Sequence, residues 1–290
     1  MNNRIYLGLN GEEVSEKLIN DFAGIGLIRS EYICRDIEQY VTLKNCQNTL
    51  ENYLLKVCRC STGKDVWYRF TDLTTNELNV LAGNDLEIFD KYHFMGIKGV
   101  RRHLLNLKSF QNEVDIVVKI QKKFTNFGVI IPYISSIEEF QVVKNTLLDS
   151  GYTGKIGIMV EIPITVFLLD NFIELGVDCV IIGMNDLTTL MLSACRESIY
   201  HDKLNPHLLE IVKSIQKKCV SNNIKMMVAG YFDSKQINEL EKINNLDIII
   251  NYANLDKYDC KYTKLKDILF LSNVKKKTKN KRKKYEELLK

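Results

Sequence analysis

Eight short apolar, β-branched runs recur along the chain, and most are followed by a stretch with helical spacing. They are Arg4–Leu9, Gly24–Arg29, Val66–Thr71, Phe127–Ile134, Ile156–Ile162, Cys179–Met184, Ile224–Ala229 and Asp247–Tyr252. Most are nearly continuous in hydrophobicity, as in IGIMVEIP and DCVIIG. A strand with one wet face alternates; a strand covered on both faces need not. The intervening segments, among them QNTLENYLLKVC, SIEEFQVVKNTLL, TVFLLDNFIELG and NPHLLEIVKSIQKKC, have the periodicity of amphipathic helices. Ser136 and Ser234 stand as caps ahead of two of them. This pattern predicts an α/β fold, a (β/α)8 TIM barrel. A doubly wound sheet would call for a glycine-rich phosphate turn after the first strand, and LNGEE is not one.

No proline- or glycine-rich linker interrupts the pattern, so residues 1–270 are expected to form one barrel domain and 271–290 a basic tail, flexible or helical. The third unit is long and has room at 73–108 for a lid or extra helix. A 46% hydrophobic, 26% charged composition excludes a wholly disordered chain. Eight of the ten residues at 275–284 are basic, more than the whole net charge of +4, so the rest is mildly acidic. Nucleic acid is therefore not an expected partner, since a binder carries its basic charge across a folded face. No apolar run reaches the ~18–20 residues of a membrane span, and MNNRIYLGLNGEE lacks the marks of a signal peptide. A cytoplasmic location is expected. The eight cysteines have no zinc spacing and read as buried free thiols. The four histidines show no metal-ligand spacing either.

In a β/α barrel, chemistry gathers where the strands end at their C-termini. The second run ends in Arg29 and Glu31, the third in Arg69 and Asp72, with Lys98, Arg101 and Arg102 in the loop beyond. The fifth ends in Glu161 and the sixth in Asn185 and Asp186, with Arg196 ten residues on. Glu161 and Asp186 offer hard oxygen ligands on adjacent strands, as Mg2+, or Mn2+, requires. The converging arginines suit a ligand carrying both carboxylate and phosphate. Taken singly, each residue has a plainer role: a strand-end carboxylate can cap the next helix, and Arg29 can pair with Glu31.

These residues sit in motifs that resemble the C-terminal phosphoenolpyruvate (PEP)-binding barrel of the PEP-utilising enzymes, most closely that of PEP synthase. GIGLIRSEY at 24–32, YRFTDLTTNEL at 68–78, MGIKGVRRH at 95–103, IPYISSIEE, MVEIP, IGMNDLT and CRES at 195–198 follow the family's motifs in order. The resemblance covers residues 3–258. It implies that Arg29, Arg69 and Arg196 contact the phosphate and carboxylate of PEP, with Asn185 also on the phosphate. It further implies Mg2+ on Glu161 and Asp186, and a homodimer.

Two positions depart from the family. Lys98 stands where the family has arginine, keeping charge but losing the bidentate fork. Ala229 stands where the family has the cysteine that moves the proton at the methylene carbon, and alanine transfers no proton. Three functions follow as expectations. The first is enolate or phosphoryl-transfer chemistry on PEP or a related compound, with Arg69, Lys98 and Tyr231 as catalytic residues and a phosphohistidine carrier protein in trans. The second is a metal-dependent 2-oxo acid lyase or aldolase. The third is a non-catalytic PEP-binding regulatory module.

Overall fold

All eight apolar runs form strands, because each can bury both faces only inside a closed parallel sheet with helices around it. In the computed structural model, which describes residues 4–91, 95–258 and scattered positions from 274 to 287, the strands are β1 Ile5–Leu9, β2 Ile25–Arg29, β3 Val66–Arg69, β4 Phe127–Ile131, β5 Lys155–Val160, β6 Cys179–Gly183, β7 Lys225–Ala229 and β8 Asp247–Asn251. They pair in chain order, all parallel, and β8 returns to β1, closing the barrel. The predicted (β/α)8 architecture is thus the one observed.

The helices are α1 Glu16–Asn20, α2 Glu31–Ile37, α3 Lys44–Cys60, α4 Thr75–Leu78, α5 Val100–Leu105, α6 Leu107–Gln121, α7 Ile137–Asp149, α8 Pro163–Phe167, α9 Leu169–Glu174, α10 Met184–Leu192, α11 Pro206–Ser221 and α12 Ser234–Glu241. Ser136 caps α7, and Glu139 completes a capping box there. At α12 the cap lies one residue upstream of the expected Ser234: the Asp233 carboxylate accepts from the backbone of Gln236, whose side chain closes the box. The expected single helix over TVFLLDNFIELG breaks at Leu168, which lets Thr165 of α8 and Leu169 and Phe172 of α9 all be buried.

Side-chain alternation along the strands separates two cores. A large cluster fills the space between sheet and helices. A smaller one, including Tyr6, Leu27, Trp67, Ile130, Met159, Ile181, Met227 and Ile249, fills the barrel interior. Trp67 is accommodated because its partner on β4 is Gly128, where a Cβ would lie 2.5 Å from the indole ring.

The long third unit carries α4, α5 and a loop tied back by an antiparallel bridge between Thr74 and Lys98. That bridge brings Lys98 over the barrel mouth. Of the described cysteines, Cys34, Cys46, Cys58, Cys179 and Cys219 are buried free thiols; Cys60 is half-buried and Cys195 is exposed, against expectation. Cys195 lies in the segment after α10, at the edge of the cavity at the barrel mouth. Cys260 and His93 lie outside the described residues. In the basic segment, the described positions are helical, Lys277 and Lys281 pair with Glu38, and Val274 packs against Tyr32. Among the described residues no helix is long and apolar enough to cross a membrane.

Candidate active site at the barrel mouth

The C-terminal ends of the strands surround an open cavity of about 840 Å³. Of the polar residues singled out in the sequence, Arg29, Glu31, Arg69, Asp72, Lys98, Glu161, Asn185, Asp186, Arg196 and Tyr231 line it. Arg101 and Arg102 do not: both lie in α5 rather than in a loop, and Arg102 is buried against Asp85. Arg29 and Arg69 are the last residues of β2 and β3, and Glu161 directly follows β5. Asn185 and Asp186 lie in the first turn of α10 rather than on β6. A carboxylate is favoured there by the unpaired N–H groups of the helix start.

Three carboxylates converge. Asp72, Glu161 and Asp186 each bring one oxygen to within 4.8 Å of the others. Two of these were expected; Asp72, three residues past β3, was recognised only as a polar strand-end residue. Gly183 makes room for the cluster, since a Cβ there would lie 2.9 Å from both Cβ and Oε2 of Glu161. Glu161 Oε1 accepts from the backbone N–H of Tyr133 at 2.7 Å. Tyr133 holds that N–H in place with a positive φ of 54°, a strained conformation for a residue with a bulky side chain.

Cations interleave with the carboxylates. Lys98 Nζ lies 3.1 Å from Asp186 Oδ2 and 3.5 Å from Asp72 Oδ2. Its ammonium also sits 4.4 Å from the centre of the Tyr133 ring. Arg196 donates to the other oxygen of Asp186. Arg69 donates to Glu31 Oε1 at 2.5 Å and lies 3.2 Å from Asp72. Glu31 therefore pairs with Arg69 across β2 and β3, and the simple Arg29–Glu31 pair considered from sequence does not form. Arg29 instead donates to the Tyr231 hydroxyl at 3.4 Å and stacks over the Tyr32 ring.

These neighbours drive the carboxyl groups apart in acidity. Burial pushes Glu161 up to about 7, reinforced by the negative charge of Asp72. Burial also raises Asp72, against the pull of Lys98 and Arg69. Asp186 goes the other way: burial opposes its charge, but Lys98 and Arg196 outweigh burial and hold it below the usual carboxylate range. Arg69 and Lys98 are held firmly cationic, since the surrounding carboxylates overcome their burial.

The side chains meet the needs of a divalent cation. Asp72, Glu161 and Asp186 supply hard oxygen donors, and Asp72 Oδ1 is buried without a hydrogen-bond partner. Behind the site, Glu113 braces the end of β3: its Oε1 accepts from Tyr68 Oη, Thr71 N and Thr71 Oγ1, and His103 Nε2 lies 2.8 Å from the Thr71 carbonyl.

The family model described as PEP-utilising enzyme, PEP-binding domain, matches residues 5–241. The chain belongs to this family. Curated relatives include a probable phosphoenolpyruvate synthase of Archaeoglobus fulgidus, 28% identical over 222 residues, which are 71% of this chain and 30% of the relative. The phosphoenolpyruvate synthase of Pyrococcus furiosus is 27% identical over 236 residues, 75% of this chain and 29% of the relative. A probable phosphoenolpyruvate synthase of Staphylothermus marinus is 31% identical over 251 residues, 78% and 30%. The chain thus spans about 30% of the length of these relatives. Among solved structures, an HpcH/HpaI aldolase/citrate lyase family protein from Burkholderia cenocepacia superposes with a TM-score of 0.51 at 11% identity, covering 86% of this chain and 88% of that one. That likeness is one of fold.

Proposed function

We propose that this barrel binds phosphoenolpyruvate or a related 2-oxo acid together with Mg2+, and performs enolate or phosphoryl-transfer chemistry on it. One observation carries the reading: three carboxylates lie within 4.8 Å of one another among Arg69, Lys98 and Arg196 at the barrel mouth. Glu161, Asp186 and Asp72 would hold the ion, and Mn2+ suits the same donors. When bound, it supplies Lewis-acid polarisation of a substrate oxygen.

The protein's own groups account for the rest. Arg69 and Lys98 are fixed cations within reach of a carboxylate or phosphate seated over the cluster, and act catalytically by stabilising developing negative charge. Arg29, Arg196 and Asn185 complete the anion site. Tyr231, whose hydroxyl Arg29 contacts, is the candidate to exchange a proton with C3, since Ala229 carries none. For phosphoryl transfer a phosphohistidine carrier protein would supply the histidine in trans. The reading includes a cytoplasmic homodimer of barrels spanning 1–270, each with a basic tail at 271–290.

A lyase reading is favoured by one observation: Ala229 lines the cavity where the resemblance places a proton-transferring cysteine. Carbon–carbon cleavage does not need that cysteine. Both readings are tested by incubating the protein with Mg2+ and PEP, with phosphohistidine carriers, and with 4-hydroxy-2-oxo acids, while following phosphate, pyruvate and deuterium exchange at the pyruvate methyl group. Turnover of PEP, slowed by Tyr231→Phe, supports the first. Release of pyruvate from the hydroxy acids alone supports the second.

A further inference from the structure

The cavity has two chemically different halves. Most charged side chains come from β3, β5 and β6 and the segments that follow them, among them Arg69, Asp72, Lys98, Glu161, Asp186 and Arg196; Arg29, at the end of β2, also lines the cavity and is turned to the Tyr231 hydroxyl. On the other side, Leu27 of β2, Ala229 of β7 and Ile249 of β8 line the same cavity, with Met159 of β5 at the seam. These four belong to the apolar cluster of the barrel interior, so the top of that core is the floor of the cavity.

The boundary between the halves falls at two small residues. Gly183 pairs with Ala229 in the sheet, and Ala229 pairs with Ile249. Passing from Glu161 toward β8, the wall therefore offers no side chain at Gly183, a methyl group at Ala229 and then the Ile249 side chain. The nearest polar groups on that side are engaged elsewhere. Asn251 Oδ1 accepts from Asn10 Nδ2 and from the backbone of Ala253. The Tyr231 hydroxyl accepts from Arg29.

A three-carbon acid held by the charged half leaves this floor covered only by water. The cavity, at about 840 Å³, is the size of pockets that hold far larger ligands. Water over an apolar floor is released when an alkyl group replaces it, and that release favours binding.

We propose that the site selects a 2-oxo acid, or its enol phosphate, that carries a short alkyl substituent on C3, and that Ala229 sets the room for that substituent. The proposal rests on the reading of the cavity as a 2-oxo acid site and names its substrate class. The head group sits over the carboxylate cluster and its cations. The substituent lies over Ala229, against Leu27 and Ile249.

Isothermal titration in Mg2+ with oxalate, pyruvate, 2-oxobutyrate and 2-oxopentanoate tests it. Oxalate has no C3 and probes the charged half alone. Each added methylene is expected to tighten binding about fourfold, so that 2-oxopentanoate binds roughly tenfold or more tighter than pyruvate. The heat-capacity change should become more negative along the series. In Ala229→Leu, with Ala229→Val as the milder change, the ratio of 2-oxopentanoate to pyruvate affinity should fall toward one. Oxalate binding with a flat or declining series in the unaltered protein overturns the substituent proposal and leaves the 2-oxo acid reading standing. Failure of oxalate and pyruvate alike to bind in Mg2+ overturns both.

Discussion

Lys98 places its ammonium 3.1 Å from an oxygen of Asp186, the carboxylate that also receives Arg196. A lysine thus stands among the groups expected to hold a divalent ion, and any such ion must share Asp186 with it. Lys98→Met removes a buried positive charge while keeping the length of the side chain. Binding of Mn2+ alone, followed by the loss of the free-ion electron paramagnetic resonance signal, should tighten by about tenfold, equivalent to ~1.4 kcal/mol. Binding of anionic ligands should weaken in the same variant, because the anion loses a cation partner.

Glu161→Gln and Asp186→Asn test the carboxylates themselves. In the first variant the amide oxygen can still accept from the Tyr133 N–H, so the change removes charge with little alteration of shape. Each should lower Mn2+ affinity at least a hundredfold, and with it any Mg2+-dependent heat on adding oxalate. Unaltered Mn2+ binding in both variants would remove the basis for placing the ion here.

The eight strands were legible because a strand buried on both faces is written as an unbroken apolar run, and those runs need no knowledge of the rest of the chain. Glu161 was legible for the same reason: it directly follows such a run. Asp72 was not singled out as a ligand, because its approach to Asp186 depends on closure of the barrel and on the segment after β3. The Thr74–Lys98 bridge, which carries Lys98 over the mouth, joins residues 24 positions apart and has no local signature. The bracing of β3 by Glu113 and His103 was missed as well. Glu113 lies on a helix whose periodicity marks it only as inward-facing, and His103 on a short helix in a segment that reads as loop. The pairing of Glu31 with Arg69 rather than Arg29 follows from β2 and β3 being neighbours, with Arg29 opposite Arg69 in the register.

Arg69 joins that structure to binding. It is buried, and it neutralises both Glu31 and Asp72. Arg69→Ala leaves two buried carboxylates without this partner, a change that typically costs about 3–5 kcal/mol. Urea denaturation should show a loss of that order. Arg69→Lys keeps the charge and should restore much of the stability, but not the fork that suits a phosphate or carboxylate. Ligand affinity in Arg69→Lys should therefore remain reduced, by roughly 2–4 kcal/mol for a charged ligand group, when stability has largely recovered.

Glu113 sets a pH dependence of stability that is separate from the candidate active site's own titration. Burial pushes its carboxyl up to about 7, against the hydrogen bonds donated by Tyr68 and Thr71. The folded state thus holds this proton more tightly than the unfolded chain, whose glutamate titrates near its ordinary 4.5. The stability it contributes is fully present below the unfolded value and is lost as pH rises through the folded value. Between these values the loss runs at about 1.4 kcal/mol per pH unit, roughly 3 kcal/mol in all. His103 acts in the opposite sense. Burial lowers it to about 4, so its contribution is present above its ordinary 6.5 and fades as pH falls toward 4. The two slopes partly cancel in the unaltered protein. Glu113→Gln can still accept from Tyr68 and Thr71 but cannot ionise, so it should remove the Glu113 slope while leaving those of His103 and of the carboxyl groups at the barrel mouth. Unfolding free energies measured at intervals from pH 4.5 to 7.5 should then rise with pH more steeply in the variant than in the parent. Parallel curves for the two proteins would show that Glu113 is already ionised in the folded state at the lower pH.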